Sequence, residues 1–490
     1  MISLLYLAFP LLGCLTYAAA GWRRCTAPVG AVAAAGMLAT GIAAAVLVAR
    51  TGPRMAVAGL LRVDALSAHM LIVIGAVALL ATAASPAWLR AEIAAGRATA
   101  RTASRHSLLV QAFLAAMALA VVAASLGMLW VAIEATTIVT AFLVGQRRSR
   151  AAVEAAWKYV VICSVGIGLA LLGIILLNYA SGHTGHPAGL DWVGLASSAH
   201  SLDPGVTRIA AALLIVGFGT KAGLVPLHAW LPDAHSQAPA PVSALMSGVL
   251  LSVAFYAILR VKVVADGALG VAFTRTLLVV IALLTLAVAA SLLLAQRDYK
   301  RMLAYSSIEH LAILALGAAA GSQLALAAVL LHILGHGLAK SVLFLASGHI
   351  LQSTGTSLVD RVRALAARQP LVAGCVGLGV LALVGFPPFS LFASELGIVR
   401  AGFGSGLAVP IAIALVLVLV IAAALFAHTG RMLLGAAPAG PGAATLPVRT
   451  PAGTAVPLVA GLLACAALGI AAGPLGSLLR LAATVAGGTG

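Results

Sequence analysis

Six side chains in this sequence carry chemistry in surroundings that make a charge expensive. Glu134 lies in the middle of "MLWVAIEATTIVTAFLVG", an apolar run of membrane length. Lys221 lies in "GFGTKAGLVPLHAWLPDA", between glycines and a proline. His332, His336 and Lys340 share "LLHILGHGLAKSVLFL" at spacing i, i+4, i+8, which sets all three along one stripe of a helix. Glu395 follows the proline pair of "GFPPFSLFASEL". An ionised group at mid-membrane costs about 2.5–3.5 kcal/mol even on the mildest scale, and is kept where it pairs, conducts an ion or relays a proton.

The chemistry open to these residues is acid–base transfer. Burial and a neighbouring carboxylate act in opposite senses on a lysine's hold on its proton. A lysine between the two can therefore gain or release a proton as its partner moves, and Glu134 and Lys221 are expected to form such a switchable pair. Histidine titrates near neutral pH, so the His332–His336–Lys340 stripe suits a proton wire. Blander readings stand beside these: Glu134 as a neutral carboxyl or fixed ion-pair partner, Lys221 reaching for an interface, Glu395 as an interfacial carboxylate. Two histidines at i, i+4 suit zinc, but no carboxylate or cysteine stands nearby in sequence to complete the set, so metal is set aside. His228, His235 and Asp233 flank Trp230 and Pro232 and serve either as polar stitches in a helix-breaking loop or in proton uptake. Glu309 and His310 follow the basic "QRDYKR" and are expected to face water.

The elements that must position these groups are membrane helices. Of 490 residues 62% are hydrophobic and 8% charged, against about 25% charged in soluble chains. Roughly fourteen apolar runs of about 20 residues give an all-α polytopic membrane protein. The first run precedes its positive charges, Arg23 and Arg24, and so reads as a retained helix rather than a cleaved signal. Span seven (206–231) and span twelve (370–402) carry glycine–proline clusters and are expected to be broken. Span eleven (322–351), with Gly335 and Gly337, is doubted as a straight helix. Val216-Gly217-Phe218 in span seven recurs as Val384-Gly385-Phe386 in span twelve, five crossings later and therefore running the opposite way. That pattern suggests an inverted repeat about a midplane site.

The net charge of +17 fits asymmetric loops better than nucleic-acid binding, for which no basic patch on a soluble fold is visible. Loop lysines and arginines divide about two to one if both termini lie on the outer face. The five cysteines form no CxxC pair, and no GxGxxG or Walker A loop stands out, so no cofactor site is expected in this chain.

"GTKAGLVPLHAWLPDAHSQAPAPVSALMSGVLL", "QRDYKRMLAYSSIEHLAILALG", "HILGHGLAKSVLFLASG" and "WVAIEATTIVTAFLVG" together resemble the antiporter-like subunits of respiratory complex I, of Mrp sodium/proton antiporters and of energy-converting nickel–iron hydrogenases. The resemblance covers roughly residues 60 to 430. "EAAWKYVVICSVGIGLALLG" and "SIEHLAILALG" are most similar to component F of hydrogenase-4 and formate-hydrogenlyase-type complexes.

The resemblance implies fourteen core helices with two inverted five-helix repeats. Helices 1–3 then fall in 1–106, the first repeat in 107–264, the second in 265–430, and a loop with helix 14 in 431–490. It implies a proton path along the membrane middle. Glu134 matches the helix-five glutamate, Lys221 the lysine of the first broken helix, His332, His336 and Lys340 the central group, and Glu395 the charged residue of the second broken helix near the outer exit. Many members carry a lysine or histidine on the helix after the proline-rich loop; this chain offers only Ser247 and Ser252 there. Few residues follow span fourteen, too few for the long lateral helix of the largest complex I subunit. The implied partners are other membrane subunits and a peripheral redox arm, with protons moved in a bacterial or archaeal-type cytoplasmic membrane. The alternatives are an Mrp-type sodium/proton antiporter subunit and a non-conducting scaffold.

Overall fold

The backbone of a chain in hydrocarbon must satisfy its own hydrogen bonds, and here it does so almost wholly in helices. The computed structural model describes residues 2–185, 187–436 and 449–488. In chain order they form α1 (Ile2–Ala20), α2 (Val29–Thr51), α3 (Ala65–Ala94), α4 (Ala100–Val122), α5 (Leu126–Val144), α6 (Arg150–Gly182), the short α7 (Trp192–Ser197), α8 (Pro204–Ala222), α9 (Trp230–Gln237) and α10 (Ala240–Leu245). There follow α11 (Leu251–Leu269), α12 (Val271–Leu294), α13 (Tyr299–Ala320), α14 (Gln323–Thr354), the single turn α15 (Leu365–Arg368), α16 (Pro370–Leu383), α17 (Ser390–Gly404), α18 (Ala408–Leu434), α19 (Ala452–Ile470) and α20 (Gly473–Val485). A small hairpin, Arg54–Ala56 against Leu61–Val63, is the one sheet among the described residues.

Thirteen crossings are long and apolar enough to span a bilayer among the described residues. One of them, Ala240–Leu269, joins α10 to α11 through a π-helical turn at Met246–Leu250. The shorter α16 and α17 together occupy span twelve, which makes up the expected fourteen. The chain is a multi-pass integral membrane protein.

Burial is graded across this bundle. α13, α14 and Ala240–Leu269 are almost wholly enclosed, and these carry five of the eight buried acidic, lysine and arginine side chains among the described residues. α1, α18 and α19 expose broad apolar faces, with Val409 and Leu419 of α18 among the most exposed residues, as a lipid-facing helix requires.

Both broken spans were expected, and both are broken. α8 stops at Gly223 (φ +79°) and α16 at Gly385 (φ +67°), each glycine entering the left-handed region that ends a helix. Each break then reaches a cis X-Pro bond three residues on, at Pro226 and at Pro388. The recurring Val-Gly-Phe sits differently in the two spans: Gly385 follows the end of α16, whereas Gly217 lies inside α8, pressed against Ala170 of α6.

Span eleven corrects the expectation: α14 runs unbroken for 32 residues. Its glycines serve close approach rather than bending. A Cβ at Gly337 would lie 2.9 Å from the Gly248 carbonyl oxygen of the π turn, and one at Gly335 would collide with Ser390 of α17. Span fourteen is also shorter than expected, ending at Ile470 before α20 begins. The loop expected before it falls partly at 437–448, outside the described residues.

Candidate functional site

Lys221 is fully buried in the last turn of α8. Its Nζ donates to Tyr159 Oη of α6 at 2.7 Å and lies 4.6 Å from the Tyr159 ring centroid and 6.0 Å from that of Trp230. Trp230 is held there by its own Nε1, which donates to the Thr220 carbonyl at 2.9 Å across the break. A helix C-terminus and two aromatic faces both favour a cation, which is how an ammonium is tolerated at this depth.

Tyr159 Oη in turn lies 2.5 Å from Thr140 Oγ1 of α5. Thr140 spends its hydroxyl proton on the Thr136 carbonyl at 2.6 Å, so the tyrosine donates and the threonine accepts. The result is a polarised chain from Lys221 through Tyr159 and Thr140 to the backbone of α5. Glu134, half-buried one turn earlier on α5, accepts from Thr137 Oγ1 at 3.1 Å. The expected Glu134–Lys221 pair is therefore not closed here: Glu134 is engaged by Thr137 and Lys221 by Tyr159.

Beyond the first break, Asp233 leaves the buried line. It pairs with Lys158 at 3.2 Å and Arg301 at 2.7 Å at the protein surface. His228 is partly buried in the break itself. His235 is fully buried, in the short helix α9 rather than in a loop. Its ring stacks on Phe344 at 4.8 Å, one turn beyond Lys340 on α14, and both its nitrogens are without partners. Beside it Lys300 donates to the carbonyls of Ser236 and Ala238 at 2.9 and 2.8 Å.

Lys340 donates to the Leu303 carbonyl at 2.8 Å and to Ser306 Oγ of α13. The adjacent Ser307 shares a 2.7 Å hydrogen bond with Ser247 in the π turn, so one of the two substituted serines does join this centre. Ser252 is buried with its hydroxyl unpartnered.

Glu309 and His310 are buried on α13, not water-facing as expected. Their helix begins about one turn earlier than the basic loop suggested, capped by Asp298, which accepts from the backbone nitrogens of Lys300 and Arg301. Glu309 sits one turn from Ser306, the partner of Lys340. His310 joins the two histidines of α14, with ring centroids 5.1 Å from His332 and 5.0 Å from His336. His310 Nδ1 lies 3.0 Å from His332 Nε2 and 4.0 Å from Glu395 Oε1 of α17. Glu395 rests against Gly385 of the second break, where a Cβ would collide with its carboxylate. The objection to metal, that no carboxylate completes the histidines, thus fails in space: His310, His332 and Glu395 bring ligand atoms within 4.8 Å of one another.

Three polar features escaped the sequence. Tyr159 and Lys300 carried no signal beyond their type, and Lys300 lay in a basic run that reads as a loop. Asp64 and Arg260 read as span-end charges, yet both are buried and joined at 2.8 Å. Arg260 also donates to Ser67 Oγ at 3.1 Å and lies 3.8 Å from the Trp192 ring centroid and 4.8 Å from that of Tyr256. Burial alone would push the Asp64 carboxyl up; the Arg260 charge, with hydrogen bonds from Arg260 and Ser67, outweighs it and holds the group below the usual carboxylate range.

Residues 123–422, more than half of the chain, match the family described as NADH:quinone oxidoreductase/Mrp antiporter, TM. A hydrogenase-4 component F homolog from Methylacidiphilum infernorum is 40% identical over 61% of this chain and 63% of its own length. Hydrogenase-4 component B of Escherichia coli is 33% identical over 71% of this chain and 52% of its own. The chain thus matches less than two thirds of either relative. A chain in the solved structure of the membrane-bound sulfane sulfur reductase, an archaeal respiratory membrane complex, superposes with a TM-score of 0.88 at 25% identity, covering 99% of this chain and 98% of that one.

Proposed function

The chain belongs to the NADH:quinone oxidoreductase/Mrp antiporter transmembrane family, and on that premise we propose that it is a proton-translocating, antiporter-like subunit of a hydrogenase-4 or formate-hydrogenlyase-like membrane complex. The observation that carries this reading is a group of buried titratable and hydroxyl side chains beside each broken helix: Lys221, Tyr159 and Thr140 at the first, and His310 and His332 with Glu395 at the second.

The relay divides in two. In the first half Lys221 holds a proton shared with Tyr159 and Thr140. When Glu134 swings to Lys221 the charge is retained; when it withdraws to Thr137, that part of the hold on the proton weakens. His235 supplies the titratable group that Ser247 and Ser252 cannot, since it lies between the anchor of Lys300 and the Lys340 turn. In the second half Lys340, Glu309 and the three histidines pass the proton to Glu395 at the second break. The two breaks mark corresponding points of two inverted five-helix repeats, 107–264 and 265–430. Both termini lie on the outer face. The energy arrives from a peripheral redox arm through neighbouring membrane subunits.

The test is proton translocation by the assembled complex in sealed vesicles, driven by its native electron donor. Glu134→Gln and Lys221→Ala should each abolish translocation. Full stoichiometry in both variants overturns the relay. A requirement for sodium on the opposite side would assign the chain to sodium/proton exchange instead.

A further inference from the structure

The geometry points to a binding site for a divalent transition-metal ion of the zinc class, built by His310 of α13, His332 of α14 and Glu395 of α17, which closes the second half of the relay when filled. The inference extends the relay reading, because it makes a proton path one that metal can block.

The donor set suits such an ion. Two imidazole nitrogens and one carboxylate oxygen, with a fourth position left to water, are a recurrent set for zinc. Bonds of about 2.0–2.2 Å in tetrahedral array place ligand atoms roughly 3.3–3.5 Å apart. Here His310 Nδ1 stands 3.0 Å from His332 Nε2 and 4.0 Å from Glu395 Oε1, and all three ligand atoms fall within 4.8 Å of one another. A small carboxylate movement closes the set. The three donors come from three helices, so the ion would fix α13, α14 and α17 to one another.

The hydrogen bonds around the site prepare it. Ser394 Oγ donates its single proton to the Leu391 carbonyl at 2.9 Å. The same oxygen lies 3.0 Å from His332 Nδ1 and must therefore accept from it. Neutral His332 then carries its lone pair on Nε2, facing His310 and Glu395, with the ring held by a partner on its far nitrogen as metal-binding histidines are. His310 Nδ1–H donates to that lone pair when no ion is present. Binding moves this proton to His310 Nε2, which is buried and without a partner beside the equally unpartnered His336 ring. The imidazoles thus give up no proton overall, and Nδ1 turns its lone pair to the ion.

We place the entry on the Glu395 side, the less enclosed of the two. Its side chain is 20% exposed at the second break, whereas His310 is buried at 1%. An ion arriving there meets the carboxylate first and the histidines behind it. Once bound, it occupies the lone pairs by which His332, His310 and Glu395 would exchange a proton.

The test reads binding apart from transport. The full chain, purified in detergent, is titrated with Co2+, whose visible absorption distinguishes four-coordinate nitrogen–oxygen ligation from the hydrated ion. One equivalent should give the four-coordinate spectrum, and Zn2+ should displace it. His310→Ala and Glu395→Gln should abolish it, and His183→Ala, at an exposed histidine, should not. Ser394→Ala, which removes only the orienting partner of His332, should weaken affinity by about 10–100-fold. Each variant is checked for a monodisperse elution profile. A hydrated-ion spectrum in the wild type, or a four-coordinate spectrum unchanged in His310→Ala and Glu395→Gln, overturns the site. Because the chain is not turning over, four-coordinate binding lost in both variants upholds the site even if the assembled complex moves no protons. Where the complex does move them, Zn2+ should inhibit the wild type at concentrations that fill the cobalt site.

Discussion

Lys221 gives its hydrogen bond to Tyr159 of α6 at 2.7 Å and not to Glu134 of α5, the carboxylate that would balance its charge. The lysine is thus held by a neutral oxygen and two π faces, with the countercharge withdrawn. A hydrogen bond from a charged donor contributes about 1.5–3 kcal/mol, roughly a ten- to hundredfold bias in a two-state equilibrium. Tyr159 is therefore a positioning residue that holds the Lys221 ammonium in place while Glu134 is engaged by Thr137.

Tyr159→Phe should preserve the packing of the ring on Trp230 (centroids 4.9 Å apart) while removing that bias. Proton translocation by the assembled complex is expected to fall by about ten- to hundredfold. Subunit assembly should be unchanged on native gels. Translocation at the wild-type rate in Tyr159→Phe would show that the hydroxyl merely fills space.

His235 yields a second prediction. With serines at 247 and 252, His235 stands beside the Lys340 turn, its ring on Phe344 and both its nitrogens without partners, as are those of His336 one turn before Lys340. His235→Phe keeps an aromatic partner for Phe344 and removes the exchangeable protons. Translocation should drop at least tenfold, the lower end of what general acid–base groups contribute being about a hundredfold. His235→Gln should retain more activity than the phenylalanine variant, because it can still bind water. Equal rates in both variants would limit the histidine to packing.

How far the sequence reached follows from what a span encodes. Glu134, Lys221 and the α14 stripe were visible because a charge in an apolar run stands out against its neighbours. The broken helices were visible because glycine and proline act locally. Glu309 and His310 were misjudged because the boundary of α13 depends on the Asp298 cap, about one turn before hydropathy begins to rise. The straightness of α14 was misjudged for a different reason. Glycine bends a helix or lets another backbone approach, and only the facing Gly248 decides which. Tyr159 and the Asp64–Arg260 pair depend on contacts 62 and 196 residues apart in sequence, beyond any periodic signal.

The Asp64–Arg260 pair gives a prediction about stability. Removing one partner leaves an uncompensated buried charge, which costs about 3–5 kcal/mol. Asp64→Asn should therefore lower the apparent Tm of the detergent-solubilised chain sharply, and Asp64→Leu with Arg260→Met should recover much of the loss. The pH dependence has a definite sign. Asp64 is held low in the folded chain, so its contribution is present above the unfolded value of about 3.9 and disappears as the pH falls through the folded value. Stability should be flat across neutral pH and fall in acid, and Asp64→Asn should shrink that acid limb. A wild-type Tm in Asp64→Asn would mean that the pair contributes nothing.

The second break is braced from outside the relay, and that bracing can be tested without altering a titratable group. Gly469 of α19 lies so close to the break that a Cβ there would collide with the Pro388 carbonyl oxygen and with the backbone at Phe389 and Ser390. One turn earlier, Cys465 Sγ lies 3.5 Å from Ser390 Oγ and 3.8 Å from the Gly335 carbonyl oxygen of α14. α19 therefore fixes where α17 starts, and with it the positions of Ser394 and Glu395. Gly469→Ala must displace backbone rather than a flexible side-chain tip. Overpacking of this kind costs about 1–3 kcal/mol, too little to unfold the bundle but enough to shift α17. The expected outcome is an assembled complex with impaired translocation although every proton-carrying residue is intact, while Gly374→Ala in α16, where a Cβ meets open space, behaves as wild type. Normal translocation in Gly469→Ala would show that the position of Glu395 does not depend on α19.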